Sequence, residues 1–132
     1  MVIKPFHLSF VVPDLASAKS FYLDILGCSL GRDSGGWIDI IFFGHQLAIH
    51  QENEFVSAKA LDHFGPILGK EEWLGVAEKC SQHGVTFEMK PTLKDEGTPL
   101  EAGKFLLKDP AGNLLEFKYY SRFDATVEGK QV

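Results

Sequence analysis

Cysteine is scarce in this chain. Cys28 and Cys80 are the only two among 132 residues, and neither lies in a CxxC pair. Two thiols are too few for a disulfide framework, and reduced cysteines of a cytosolic protein are the expectation. Long apolar runs are missing as well. No stretch approaches the ~20 consecutive apolar residues of a membrane span. The opening Met1-Val2-Ile3-Lys4-Pro5-Phe6 lacks the apolar region of a secretory signal. Basic clusters are also absent. The formal net charge is −5, and no run of Lys and Arg suggests a groove that tracks phosphates. These absences predict a soluble, cytoplasmic protein with no nucleic-acid or membrane partner.

What is present is ordinary globular composition, 45% apolar and 23% charged, in a chain long enough to bury a core. One stretch stands out. Asp109-Pro110-Ala111-Gly112-Asn113 reads as a tight turn, and Leu114–Tyr120 as the strand after it. Glu116 sits in that strand between Leu115 and Phe117. A carboxylate there needs a partner, because a buried charge is costly unless it is paired or binds a metal.

The chain in order supplies candidates. Residues 3–12 alternate as a strand, with Phe6, Leu8, Phe10 and Val12 on one face and His7, Ser9 and Val11 on the other. Asp14 is a plausible N-cap for a helix that Gly27 closes. Three strands are expected at about 28–34, 37–43 and 45–52, with turns at Gly35-Gly36 and Gly44-His45. After a linker at 53–61 the pattern restarts. His63–Gly69 reads as a strand, and a helix begins at Lys70 with a buried stripe of Trp73, Ala77 and Cys80. Strands follow at about 85–90, 103–108 and 113–120.

The order β-α-β-β-β therefore occurs twice, in modules at about 3–52 and 62–120 of a single domain spanning 1–121, with a tail at 122–132. His7 and His63 are 56 residues apart, Gly27 and Gly84 are 57 apart, and the turn glycines Gly44 and Gly112 are 68 apart. The second copy thus carries an insert near Pro91–Gly103, and inserts on one repeat often sit on the binding side.

Each copy has a histidine on its first strand, His7 or His63, and a ligand type on its last strand, His50 or Glu116. Read as matching places, these four make a candidate metal site. Imidazoles and a carboxylate suit Fe(II), Mn(II), Ni(II) or Zn(II), and two histidines with one carboxylate leave positions open for substrate. His45, in a hairpin turn, and His83, at a helix end, read as non-ligands. Gln46 and Ser9 share faces with His50 and His7 and are weak candidates for orienting ligands or substrate. Glu101 and Lys104 flank the insert and are weak substrate candidates, expected to be solvated. At least one of Tyr119 and Tyr120 is expected to be core.

The segments FHLSFVVPDLASAKSFYLDILG, GHQLAIH, HFGPIL and DPAGNLLEFKYY together resemble the vicinal oxygen chelate superfamily. That superfamily includes glyoxalase I, extradiol dioxygenases, fosfomycin-resistance and bleomycin-resistance proteins. The resemblance implies an α+β, glyoxalase-like fold: two βαβββ modules forming a curved, open barrel-like mixed sheet with helices outside. It implies a divalent metal ion, Fe2+ favoured, held by His7, His63 and Glu116. The fourth ligand place falls on or near His50, where glyoxalase I enzymes typically have Glu or Gln, so His50 is either a ligand or an acid/base. The expected function is a metal-dependent dioxygenase or lyase that chelates vicinal oxygens of a small substrate and stabilises an enolate- or catecholate-like species. The alternative is a metal-free drug-binding protein of the bleomycin-resistance type. A homodimer is expected from the superfamily's habit and from the general prevalence of two-fold assemblies.

Overall fold

The structure is a computed structural model that describes residues 5–52 and 61–122. The expected linker lies almost wholly, and the C-terminal tail from residue 123, outside the described residues. By its contacts the chain divides into two compact units. The N-terminal unit comprises Val2–Leu61 with Asp109–Asn113, and the C-terminal unit comprises Asp62–Lys108 and the chain from Leu114.

In the N-terminal unit, β1 (His7–Val12) leads to α1 (Leu15–Ser20), then β2 (Ser29–Asp33), β3 (Trp37–Phe42) and β4 (His45–Gln51). The strand order is β1-β4-β3-β2, with β1 parallel to β4 and the other neighbours antiparallel. Asp14 caps α1 as expected, its carboxylate accepting from the amides of Ala16 and Ser17. The helix ends sooner than its apolar spacing predicts. A single π-helical turn, Phe21–Ile25, continues it, and Gly27 turns the chain out at φ 75°. The wider turn coincides with burial of both Phe21 and Tyr22, whose rings meet edge to face. The core behind the sheet holds Val12, Tyr22, Ile38, Ile40, Leu47 and Ile49. Each such side chain contributes roughly 1.5–3 kcal/mol relative to exposure.

The C-terminal unit repeats the plan with β5 (Ile67–Leu68), α2 (Lys70–Gln82), β6 (Phe87–Lys94), β7 (Ala102–Lys108) and β8 (Leu114–Tyr120), in the order β5-β8-β7-β6. Its first strand is shorter than predicted. Only Ile67 and Leu68 form a ladder with β8, preceded by a bridge from Phe64 to Leu115. Pro66 lacks an N–H to donate, and Gly65 lies hard against the Glu116 backbone, so a regular ladder cannot run through them. The stripe Trp73, Ala77 and Cys80 is buried as expected. Burial pushes the Cys80 thiol up to about 11, which keeps it protonated. Trp73 donates its indole N–H to the carbonyl of Phe117 at 2.9 Å and occupies the space beside Gly103, where a Cβ would stand 2.8 Å from the ring. Phe105 and Phe117 stack at 4.7 Å.

The insert extends the β6–β7 hairpin. Strand β6 runs four residues past its predicted end, to Lys94. The tip is clamped by Glu101, whose side chain is only 8% exposed, not solvated as expected. Its carboxylate accepts from the Gly97 amide, the Tyr119 hydroxyl and the Lys70 ammonium. Those three partners, the Gly97 amide foremost, hold the acid down to about 2.

Candidate metal-binding residues

Alternation sets which side chains share a face. In the N-terminal unit, register pairs His7 with Gln46, Ser9 with Ala48 and Val11 with His50 on the face away from the core. Strand β3 adds Trp37, Asp39 and Ile41 to that face, opposite His50, Ala48 and Gln46. His7 Nδ1 lies 2.7 Å from Gln46 Oε1. An amide oxygen only accepts, so His7 carries its proton on Nδ1 and presents an Nε2 lone pair. Ser9 shares the histidine's face, and the Gln46 amide oxygen holds the imidazole in orientation.

Asp39 deepens this arrangement. It is 6% exposed. Its Oδ2 pairs with Arg32 Nε, while Oδ1 makes no hydrogen bond. The Arg32 guanidinium holds this carboxyl below the usual carboxylate range against the effect of burial, with smaller help from the Gln46 amide and the nearby His7. Neither Asp39 nor Arg32 stood out in the sequence. Asp39 sits in the apolar run Trp37–Phe42, and an acid in such a run was the available signal.

In the C-terminal unit, Glu116 has the partner that its setting demands. Its side chain is 13% exposed, and Oε1 lies 3.7 Å from His63 Nε2 and 3.4 Å from Lys118 Nζ. Two ligands each about 2.1 Å from one ion stand roughly 3.0–3.4 Å apart, so the His63–Glu116 spacing is close to that of a ligand pair. His63 Nδ1 is bonded to the Asp62 carboxylate. The carboxylate accepts a hydrogen bond from Nδ1–H and leaves Nε2 facing Glu116, the arrangement by which carboxylates orient metal-bound histidines. Asp62 was missed although it directly precedes His63. The donor chemistry of these residues thus fits a divalent cation. Within either unit, among the described residues, no three His, Cys, Asp or Glu side chains are grouped to hold an ion.

The matching of His50 with Glu116 needs correction. The turn glycines Gly44 and Gly112 are 68 residues apart, so Glu116 corresponds to position 48, which is Ala48. Register agrees, since Ser9, two residues past His7, stands opposite Ala48, and Gly65, two residues past His63, meets Glu116. His50 corresponds to Lys118, one pleat further along. It is exposed and rests beside the Trp37 ring at 6.1 Å.

His45 and His83 bond backbone groups rather than side chains. His45 Nδ1 accepts from the Phe6 amide at 2.7 Å, so its proton sits on Nε2. His83 bonds the Lys79 carbonyl at the end of α2. Tyr119 is core, as one of the two tyrosines was expected to be, while Tyr120 stays half-buried on the Glu116 face.

A family model for the glyoxalase/bleomycin resistance protein/dioxygenase superfamily matches residues 4–117. The chain belongs to this superfamily. A glyoxalase/bleomycin resistance protein/dioxygenase from Alicyclobacillus acidocaldarius shares 35% identity over 93% of this chain and 94% of its own, with a TM-score of 0.76. A lactoylglutathione lyase from Agrobacterium tumefaciens is similar in fold, at 17% identity over 91% of this chain and 96% of its own, TM-score 0.67. So is a genomically encoded fosfomycin resistance protein from Listeria monocytogenes, at 17% identity over 90% and 94%, TM-score 0.67. No curated protein matches the chain. The expected glyoxalase-like α+β fold with paired βαβββ modules is the observed one.

Proposed function

We propose that this protein is a divalent-metal-dependent enzyme of the lyase or dioxygenase type, acting on a small substrate with neighbouring oxygen atoms. The ligands on this reading are His7, His63 and Glu116. One observation carries it. In both units the first-strand histidine has Nδ1 tied to an acceptor, Gln46 in one and Asp62 in the other, and so offers Nε2. Two imidazoles that each offer Nε2, one of them facing a carboxylate at 3.7 Å, support cation binding.

When bound, the ion supplies Lewis-acid polarisation of substrate oxygens. The chain's own residues do the rest. Asp62 and Gln46 hold the imidazoles in orientation. Lys118 Nζ lies 3.4 Å from Glu116 Oε1. Trp37 and His50 form a wall of the N-terminal face, where His50 can contact substrate or carry a proton.

The test is metal analysis of protein purified without oxygen, comparing wild type with His63→Ala and Glu116→Ala. Near-stoichiometric metal in wild type, lost in both variants, is the expected result. Absence of metal from wild type under replete conditions would move the protein to the metal-free drug-binding class. Oxygen uptake with catechols, set against turnover of glutathione hemithioacetals, then separates dioxygenase from lyase chemistry.

A further inference from the structure

The C-terminal unit holds a cleft of about 420 Å³ beside the hairpin tip. That volume lies in the range of small-molecule sites. Four cations line it, Lys94, Lys104, Lys118 and Arg122, against two acids, Asp95 and Glu101. Glu101 is already taken by Lys70, Tyr119 and Gly97. A locally cationic cleft runs against the chain's overall charge of −5. Such concentration of one sign in a concave site raises the local concentration of ions of the other sign.

The register sharpens the point. Thr92, Lys104 and Lys118 stand directly opposite one another across β6, β7 and β8. Like charges directly opposite on an antiparallel pair are destabilising. Lys118 is partly relieved by Glu116 at 3.4 Å, but Lys94 and Lys104 make no ion pair among the described residues. Lysines placed this way without a counter-charge suit an anion supplied from outside. The next row, Lys94, Ala102 and Tyr120, adds a methyl floor and an aromatic wall, and the exposed Leu100 continues it. Lys118 Nζ also sits 5.0 Å from the centre of the Tyr120 ring.

The cationic row is two residues along β8 from Glu116 and on the same face. Two residues of strand span about 7 Å. We propose that this cleft binds the anionic end of the substrate, a carboxylate or a phosphate or phosphonate group, with Lys104 and Lys118 as its principal contacts. The apolar surface of Leu100, Ala102 and Tyr120 then covers a short hydrocarbon portion. This rests on the proposed function for what lies at the other end of the molecule, but the anion site is a property of the C-terminal unit alone.

The test uses metal-free, full-length protein at low ionic strength, because salt screens exposed charges. Backbone amide NMR shifts are followed during titration with inorganic phosphate, with benzoate, and with uncharged benzamide. Saturable shifts at Thr92, Ala102, Lys104, Lys118 and Tyr120 with phosphate, benzoate or both, and none with benzamide, are expected. Which anion binds tighter distinguishes a phosphorus-based from a carboxylate substrate. Lys104→Gln and Lys118→Gln each weaken binding roughly three- to tenfold, and Lys104→Glu abolishes it, while Lys79→Gln on α2 changes nothing. The proposal is overturned if benzamide shifts the same residues, if no anion saturates, or if Lys104→Gln binds as wild type does. Because no metal is present, failure here leaves the metal reading standing, and His63→Ala should still bind the anion if only the metal reading fails.

Discussion

The two units follow one plan but distribute bulk in opposite ways at the same cross-strand place. In the N-terminal unit Ser9 stands opposite Ala48 in a parallel ladder of six consecutive pairs. At the corresponding place in the C-terminal unit, Gly65 meets Glu116. The glycine is needed for close approach, since a Cβ there would stand 1.7 Å from the Glu116 carbonyl oxygen. The strand before α2 is consequently reduced to two paired residues. The first unit keeps a regular ladder and a small residue, with its acid moved to Asp39 on the neighbouring strand. The second gives up ladder hydrogen bonds and gains a carboxylate aimed at His63. Repetition of the fold thus does not repeat the side chain: the same place holds Ala48 in one unit and Glu116 in the other.

The largest effect that can test this comparison is steric. Gly65→Ala forces backbone against backbone, with no flexible side chain to yield, and is expected to destabilise the protein by roughly 3 kcal/mol or more. Ser9→Ala, at the corresponding place in the other unit, should change stability by no more than about 0.5 kcal/mol. Urea unfolding of the two variants measures the difference. Similar small shifts for both would remove the steric basis of the asymmetry.

A smaller effect comes from the clamp that only the C-terminal unit carries. The folded-state acidity of Glu101, at about 2, lies below the ordinary value of 4.5. A depressed carboxyl contributes stability above its unfolded value, and that contribution is lost as pH falls through the interval toward 2. Emission from Trp73, which packs beside Gly103 and Tyr119 in this unit, should therefore change between about pH 4.5 and 2 in a Trp37→Phe background. Glu101→Gln should lose that acid transition and be less stable than wild type at neutral pH. An unchanged transition in the variant would assign it to another group.

Much of this is legible in the sequence. Glu116 stands out as an acid in an apolar strand, and the basic groups beside it are Lys118 at 3.4 Å and His63 at 3.7 Å. Asp14, Gly27 and Gly84 punctuate the helices where turn chemistry placed them. What stayed hidden depends on register across strands. Lys94, Lys104, Lys118 and Arg122 are spread over nearly thirty residues, so they form no basic run and gather only when three strands align. Asp39 was hidden because its meaning comes from Arg32 on one strand and Ala48 on another. The mismatch of His50 with Glu116 was not hidden in this way, since the 68-residue spacing of Gly44 and Gly112 alone matches Glu116 with Ala48.

That correction leads to the smallest expected effect, and the one that discriminates most finely between the units. If matching by residue type were right, His50→Ala would remove a ligand and lower metal affinity as strongly as Glu116→Ala. Register places His50 with Lys118 and beside Trp37, one pleat away from the Ala48 position. His50→Ala should therefore change metal affinity by less than about twofold, whereas loss of an outer-shell partner typically costs 10–100-fold. Gln46→Ala supplies the internal standard, because it frees the Nδ1 of His7 and should fall in that larger range. Competition against a chelator of known affinity measures all three. A His50→Ala loss as large as that of Gln46→Ala would put His50 among the ligands and make the N-terminal unit's last strand, not only its first, a metal-binding element.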